Sequence, residues 1–120
     1  MREKPKASWE LYCSNTGQPI VREEIRRTLG DGPPKKELGE LMSRIQFGRA
    51  LDRDTAPLGG GLFEARLSYC GTEFRLYFAH GPQGEHILLA LAFHKKGGQG
   101  AQKRTIKLAR KRLSDWLGRI

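Results

Sequence analysis

The chain has 120 residues, with 22 Lys/Arg against 13 Asp/Glu, a net charge of +9 and 38% hydrophobic residues. That mix describes a single domain over residues 1–120 with a core of its own, and excludes both a disordered chain and one built around a spanning helix of about 20 apolar residues. Residues 1–8 carry basic side chains with no apolar segment behind them, so no secretory signal is expected; Cys13 and Cys70 match no metal or CxxC spacing and are expected to stay reduced in a cytoplasmic protein.

Residues 9–13 form a short apolar run ending in Ser14-Asn15-Thr16-Gly17, which predicts a first strand and a turn. Pro19 suits the first position of a helix, and Ile20, Val21, Ile25 and Leu29 give a helical stripe that stops at Gly30. After the connector Asp31-Gly32-Pro33-Pro34, a second helix is predicted over residues 35–51, with Leu38, Leu41, Met42, Ile45 and Phe47 facing inward. Pro57 and Gly59-Gly60-Gly61 predict a loop with little structure of its own.

The apolar period then changes from 3.6 to 2. Phe63, Ala65, Leu67 and Tyr69 alternate with Glu64, Arg66 and Ser68; Phe74, Leu76 and Phe78 alternate with Glu73, Arg75 and Tyr77. A turn at Cys70-Gly71 would pair residues whose numbers sum to 141, and a slip by one would put half of the apolar set in water. Gly81-Pro82-Gln83-Gly84 is the next turn, and residues 86–93 read as a central strand. A last helix is predicted over residues 102–117 with an inner stripe of Ile106, Ala109, Leu113, Trp116 and Leu117. The order β-α-α-β-β-β-α is that of an α+β domain, an antiparallel sheet with helices packed on one face.

The charge is unevenly placed. Residues 93–120 hold nine Lys/Arg and one acid, Asp115, for a net +8 of the total +9. Such a field attracts polyanions, nucleic acid above all. Lys103, Arg104, Lys107, Arg110 and Lys111 are therefore expected to bind nucleic acid, the alternative being a solvated helix face.

The hairpin register puts Arg66 opposite Arg75, which is unfavourable for folding by some tenths of a kcal/mol. A phosphate clamped between the two guanidiniums would explain the pair, and so would neutralisation by Glu64 and Glu73 on the same face. His94, Lys95 and Lys96 leave the last strand beside that face. Attack of a ribose 2′-hydroxyl on the adjacent phosphate needs a proton acceptor, cations at the phosphate and a proton for the leaving oxygen. His94, with an ordinary pKa of about 6.5, could serve as base or acid, and Arg66, Arg75, Lys95 and Lys96 would stabilise the phosphorane. No metal or other cofactor is implied, since carboxylates are too few and His80, His86 and His94 lack companion ligands.

These residues carry a family resemblance. Pro57-Leu58-Gly59-Gly60-Gly61-Leu62-Phe63-Glu64-Ala65-Arg66 resembles the "PL-x-x-GLWELR" stretch of the RelE/ParE toxin superfamily, in particular its phage-derived, HigB-like branch. Glu73-Phe74-Arg75-Leu76-Tyr77-Phe78 is similar to that branch's "YRVLY" strand, residues 88–96 to its "ILLHGFVKK", and residues 103–113 to its "KREIELAKKRL" helix. The resemblance implies a type II toxin that acts at the ribosome as an mRNA endonuclease and is held inactive by a cognate antitoxin. Arg66, Arg75, Lys95 and Lys96 match its basic site positions. An antitoxin with an acidic segment over the Arg66/Arg75 face or the last helix would complement the charge. The connector from Lys95 to Lys103 is longer and richer in glycine than the family's and lacks its proline, which suggests a mobile loop; no tyrosine follows Tyr77, so His94 is the candidate replacement for a C-terminal catalytic tyrosine. Two other functions fit the same chain: a ParE-like toxin that cuts nothing and acts on DNA gyrase, and a non-catalytic nucleic-acid-binding regulator.

Overall fold

The computed structural model describes residues 8–81 and 87–119. The turn expected after Gly81, and His86, lie outside the described residues. Eight elements follow in order: β1 (Ser8–Leu11), α1 (Ile20–Leu29), α2 (Pro33–Gln46), β2 (Thr55–Gly59), β3 (Leu62–Tyr69), β4 (Thr72–His80), β5 (Ile87–Lys95) and α3 (Gln99–Gly118). The strands form one sheet in the order β1-β5-β4-β3-β2. The α+β class is as expected, and four features differ from the sequence reading.

The first is β2, where a loop was expected. Thr55 to Pro57 pair antiparallel with β3, and the ladder shifts register between Pro57 and Gly59. Proline cannot donate to a ladder, but on an outer strand it need not, so β2 sits at the sheet's edge. The second is α2. It starts at Pro33, because the first turn of a helix needs no N–H donors, and it ends at Gln46, where Gly48 turns the chain with φ 72°.

The third is that β1 joins β5 in parallel, with Trp9 beside Leu88 and Leu11 beside Ala90. The fourth is the placement of the helices. Trp9 donates from Nε1 to the carbonyl of Met42 at 2.8 Å and meets Phe78 edge to face, so α2 covers the Phe74/Leu76/Phe78 side, as α1 does beside it. Thr105 of α3 instead contacts His94, which shares the opposite side with Arg75 and Tyr77. With α3 on that side, Tyr77, Ala79, Leu89 and Ala92 are as buried as the phenylalanines. Leu117, expected inward, is 45% exposed, while its neighbour Trp116 packs against the core.

The β3–β4 hairpin has the expected register throughout, from Leu62 opposite Ala79 to Tyr69 opposite Thr72. Its turn has positive φ at both central residues, Cys70 at 49° and Gly71 at 81°, the pattern whose twist matches the strands. Leu91 is skipped in the β4–β5 pairing, where Tyr77 meets Ala92 and Phe78 meets Ala90.

Beyond the short β1, the outer edge of β5 is satisfied by an ion pair rather than a strand. Glu24 of α1 accepts the Phe93 N–H at 3.1 Å, and Arg112 of α3 donates to the Leu91 carbonyl at 2.8 Å. The two side chains also bond each other at 2.7 Å and are 15% and 11% exposed. Breaking so buried a pair strands a charge. Arg112→Leu is expected to cost about 3 kcal/mol in urea unfolding, with part of the loss recovered when Glu24→Gln is added. Wild-type stability in the single variant would show that the pair holds nothing together.

Candidate nucleic-acid interface

The polar face of the hairpin stays open on the β3 side of α3. Arg66 of β3 lies directly opposite Arg75 of β4, and Arg75 lies opposite His94 of β5. The like charges are reconciled by a buried carboxylate. Glu64, 5% exposed, accepts Arg75 Nε at 2.8 Å and Arg66 Nε at 3.3 Å on the same oxygen. Glu73 at the rim takes Lys96 at 3.0 Å and the far end of Arg75 at 3.6 Å. The hydrogen bond from Lys96 holds the Glu73 carboxyl below its usual range.

The two arginines are not equivalent. Arg75 is 7% exposed, with Nε on Glu64, Nη1 on the Phe74 carbonyl at 3.3 Å and Nη2 toward Glu73. Arg66 has a side chain 42% exposed, and only its Nε is engaged among the described residues. Its fork faces outward.

Of the three residues expected from the end of β5, two reach this face. Lys96 is fastened there by its own N–H to the Glu73 carbonyl at 2.8 Å as well as by its ammonium. Lys95 pairs with Phe74 and so projects from the opposite side of the sheet, because side chains alternate along a strand. The long connector expected after it is short: α3 begins at Gln99, and the glycines at Gly97 and Gly98 complete the link.

His94 is near the cluster but committed inward. Its Nε2 is 3.0 Å from the Tyr77 hydroxyl and its Nδ1 is 3.4 Å from Thr105 Oγ1. Thr105 spends its proton on the Ala101 carbonyl at 3.0 Å, so its oxygen accepts from Nδ1–H and Nε2 accepts from Tyr77. Both ring nitrogens are thus used by the fold. Burial lowers the His94 pKa, and the Arg75 charge lowers it further. Burial likewise pushes Tyr77 up to about 12, so it stays a hydroxyl.

Residues 31–114 match the model of the family described as phage-derived protein Gp49-like (DUF891). The chain is a Gp49-like protein. This is a toxin-like family related to the RelE/ParE-type toxins, which implies a cognate antitoxin as partner. The match takes in α2, the whole hairpin, β5 and most of α3, and with them every residue of the polar cluster. No curated protein matches the chain. No helix among the described residues is long and apolar enough to cross a membrane.

On α3 of this Gp49-like protein, Lys103, Lys107 and Lys111 repeat every four residues on one exposed line, with Arg104 beside it. Among the described residues none of the four makes an ion pair. Arg110 serves the fold instead. It donates to the carbonyls of Leu58 at 2.8 Å and Gly59 at 2.9 Å, tying α3 to the β2–β3 turn. Arg112 is likewise structural. Sequence reasoning missed two further arginines near the cluster, Arg44 and Arg53. They line a cleft with Arg66 and Arg75, yet lie far from the hairpin along the chain. Nothing in local periodicity points to them.

A histidine held neutral gives a pH signature. In the unfolded chain His94 takes a proton near its ordinary pKa of about 6.5, whereas the folded protein resists it, so stability falls as pH drops below about 6.5. Urea midpoints at about pH 7.5 and about pH 5.5 should therefore separate more in the wild type than in His94→Gln, since the other histidines are common to both. Equal separations would mean that the ring is not held neutral.

Proposed function

We propose that this protein is the toxin of a type II toxin–antitoxin pair and an mRNA endonuclease that works on the ribosome. The observation that carries this reading is the meeting of Arg66, Arg75 and Lys96 on one exposed sheet face. Glu64 makes the facing arginines compatible with folding, and it leaves Arg66 with an open fork that a polyanion can occupy.

The chemistry is transesterification. The ribose 2′-oxygen bonds to the neighbouring phosphorus, the P–O5′ bond breaks, and the products are a cyclic phosphate and a 5′-hydroxyl. Charge on the two equatorial oxygens grows along the way. Arg66, with its free fork, and Lys96 lie where they can meet that charge, while Arg75 fixes Glu64 and thereby aims Arg66. Such preorganised donors need no solvent reorganisation during the step. His94 stands beside Arg75 in the ladder with both ring nitrogens on Tyr77 and Thr105, and in this reading it has a structural role in place of the acid–base role read from sequence. Lys95 projects from the Phe74 side of the sheet, away from this site and from α3, and contact with the ribosome falls to Lys103, Arg104, Lys107 and Lys111.

Arg66 is the variant to make, because Arg75→Ala would leave Glu64 buried without its main partner. In a purified translation system with one defined message, Arg66→Ala is expected to lower ribosome-dependent cleavage by about 10²-fold with thermal stability unchanged. Cleavage at the wild-type rate would remove Arg66 from the site. If the wild-type protein leaves the message intact with and without ribosomes, the nuclease reading fails and inhibition of gyrase supercoiling becomes the decisive assay.

A further inference from the structure

A cleft of about 390 Å³ opens beside the hairpin just before β2 begins, where β3 runs on beyond it. Four arginines line it from four separate parts of the chain: Arg44 of α2, Arg53 of the α2–β2 link, Arg66 of β3 and Arg75 of β4. The acids at its wall are Glu37, Asp54 and Glu73. The free donors can be counted. Arg44 spends Nε and Nη2 on Asp54, at 3.2 and 3.4 Å, and Asp54 also takes the Leu51 N–H at 2.8 Å. Arg75 is buried, with Nε on Glu64, Nη1 on the Phe74 carbonyl and Nη2 paired with Glu73 at 3.6 Å. Two guanidiniums keep both terminal nitrogens open among the described residues. Arg66 offers both terminal nitrogens, and the exposed Arg53 makes no hydrogen bond or ion pair among the described residues.

We infer that Arg53 and Arg66 form a phosphodiester-binding subsite in this cleft, which holds an RNA strand one step away from the Arg66/Arg75/Lys96 face. A backbone phosphate between two open forks gains charge-assisted hydrogen bonds that neither arginine has in the free protein. The Arg44–Asp54 pair fixes the far wall, and Asp54 accepts nothing from Arg53, so Arg53 stays available. The backbone of Asp54 also anchors the site, because its carbonyl takes the Arg66 N–H at 2.8 Å and so keeps the link against β3. Arg66 thereby lies at the junction between sheet face and cleft. No residue of α3 lines the cleft, so the α3 lysines remain available for a second contact.

The subsite rests on the proposed function only for the identity of the strand as RNA, and binding can be measured without cleavage. The probe is a short fluorescein-labelled oligouridylate, titrated with the full-length protein over a salt series, alone and with inorganic phosphate at matched ionic strength. Arg53→Gln is expected to weaken binding about tenfold at the lowest salt and to reduce the slope of log affinity against log salt by about 0.7. Arg26→Gln, on α1 and paired with Glu23, is expected to leave both unchanged. Wild-type affinity and slope in Arg53→Gln would overturn the subsite, even if the protein cuts mRNA on ribosomes. Displacement of the probe by inorganic phosphate beyond the ionic-strength effect would also overturn it, in favour of a small-anion site. Loss of oligonucleotide binding in Arg53→Gln, in a protein that leaves mRNA intact, would keep the subsite and discard the nuclease. Because the Arg53 side chain bonds to nothing in the described fold, an unfolded variant does not blur the result.

Discussion

One buried carboxylate organises the polar face of this molecule. Glu64 is almost out of water, yet it accepts from two arginines of neighbouring strands through one oxygen. A lone carboxylate in that position would be expensive, and so would either arginine against the other. Together they are tolerable. The arrangement also differentiates the pair, since Arg75 is absorbed into the sheet while Arg66 keeps its fork for solvent or ligand. Electrostatic support and electrostatic availability are thus divided between two residues of the same type. The split is set by the depth of each side chain and not by sequence.

Around that centre, the packing serves to hold three strands in one register. The Cys70-Gly71 turn fixes β3 on β4, and the bulge at Leu91 lets β5 follow β4 while both of its faces remain buried. The Glu24–Arg112 pair then finishes an edge that β1 is too short to cover. Several cations in the basic C-terminal region are consequently structural. Arg110 and Arg112 bond backbone carbonyls, and Arg119 bonds Cys13 and Asp115. The lysines of α3 are the residues that leave charge exposed.

How much of this could be read from the chain depends on whether the signal is local. The hairpin register was legible, because period-2 alternation on both sides of a tight turn admits one solution. So were α1, closed by Gly30, and the apolar side of α3 as far as Trp116. β2 was hidden by Pro57 and three glycines, residues that read as loop yet are acceptable on an edge. The side of the sheet taken by α3 was not legible either. An amphipathic helix says that it packs, not where. Likewise, the facing of Arg66 and Arg75 was available from the register, while the turn of Lys95 away from that face needed the β4–β5 pairing. The commitment of His94 to Tyr77 and Thr105, and the approach of Arg53 to Arg66, join segments distant in sequence and leave no periodic trace.

The parallel pairing of β1 with β5 has a consequence for the timing of synthesis. Ser8 is beside Ile87, and Tyr12 just after β1 reaches Ala90 and, through its hydroxyl, Asp115. β1 is therefore stitched to β5 and α3, contacts of high sequence separation that chain entropy makes slow to form. While the polypeptide is still emerging, the sheet has no β5 and the polar face has neither its final strand nor Lys96. A chain that has not yet made β5 and Lys96 therefore lacks this charged face, whatever the state of its earlier elements.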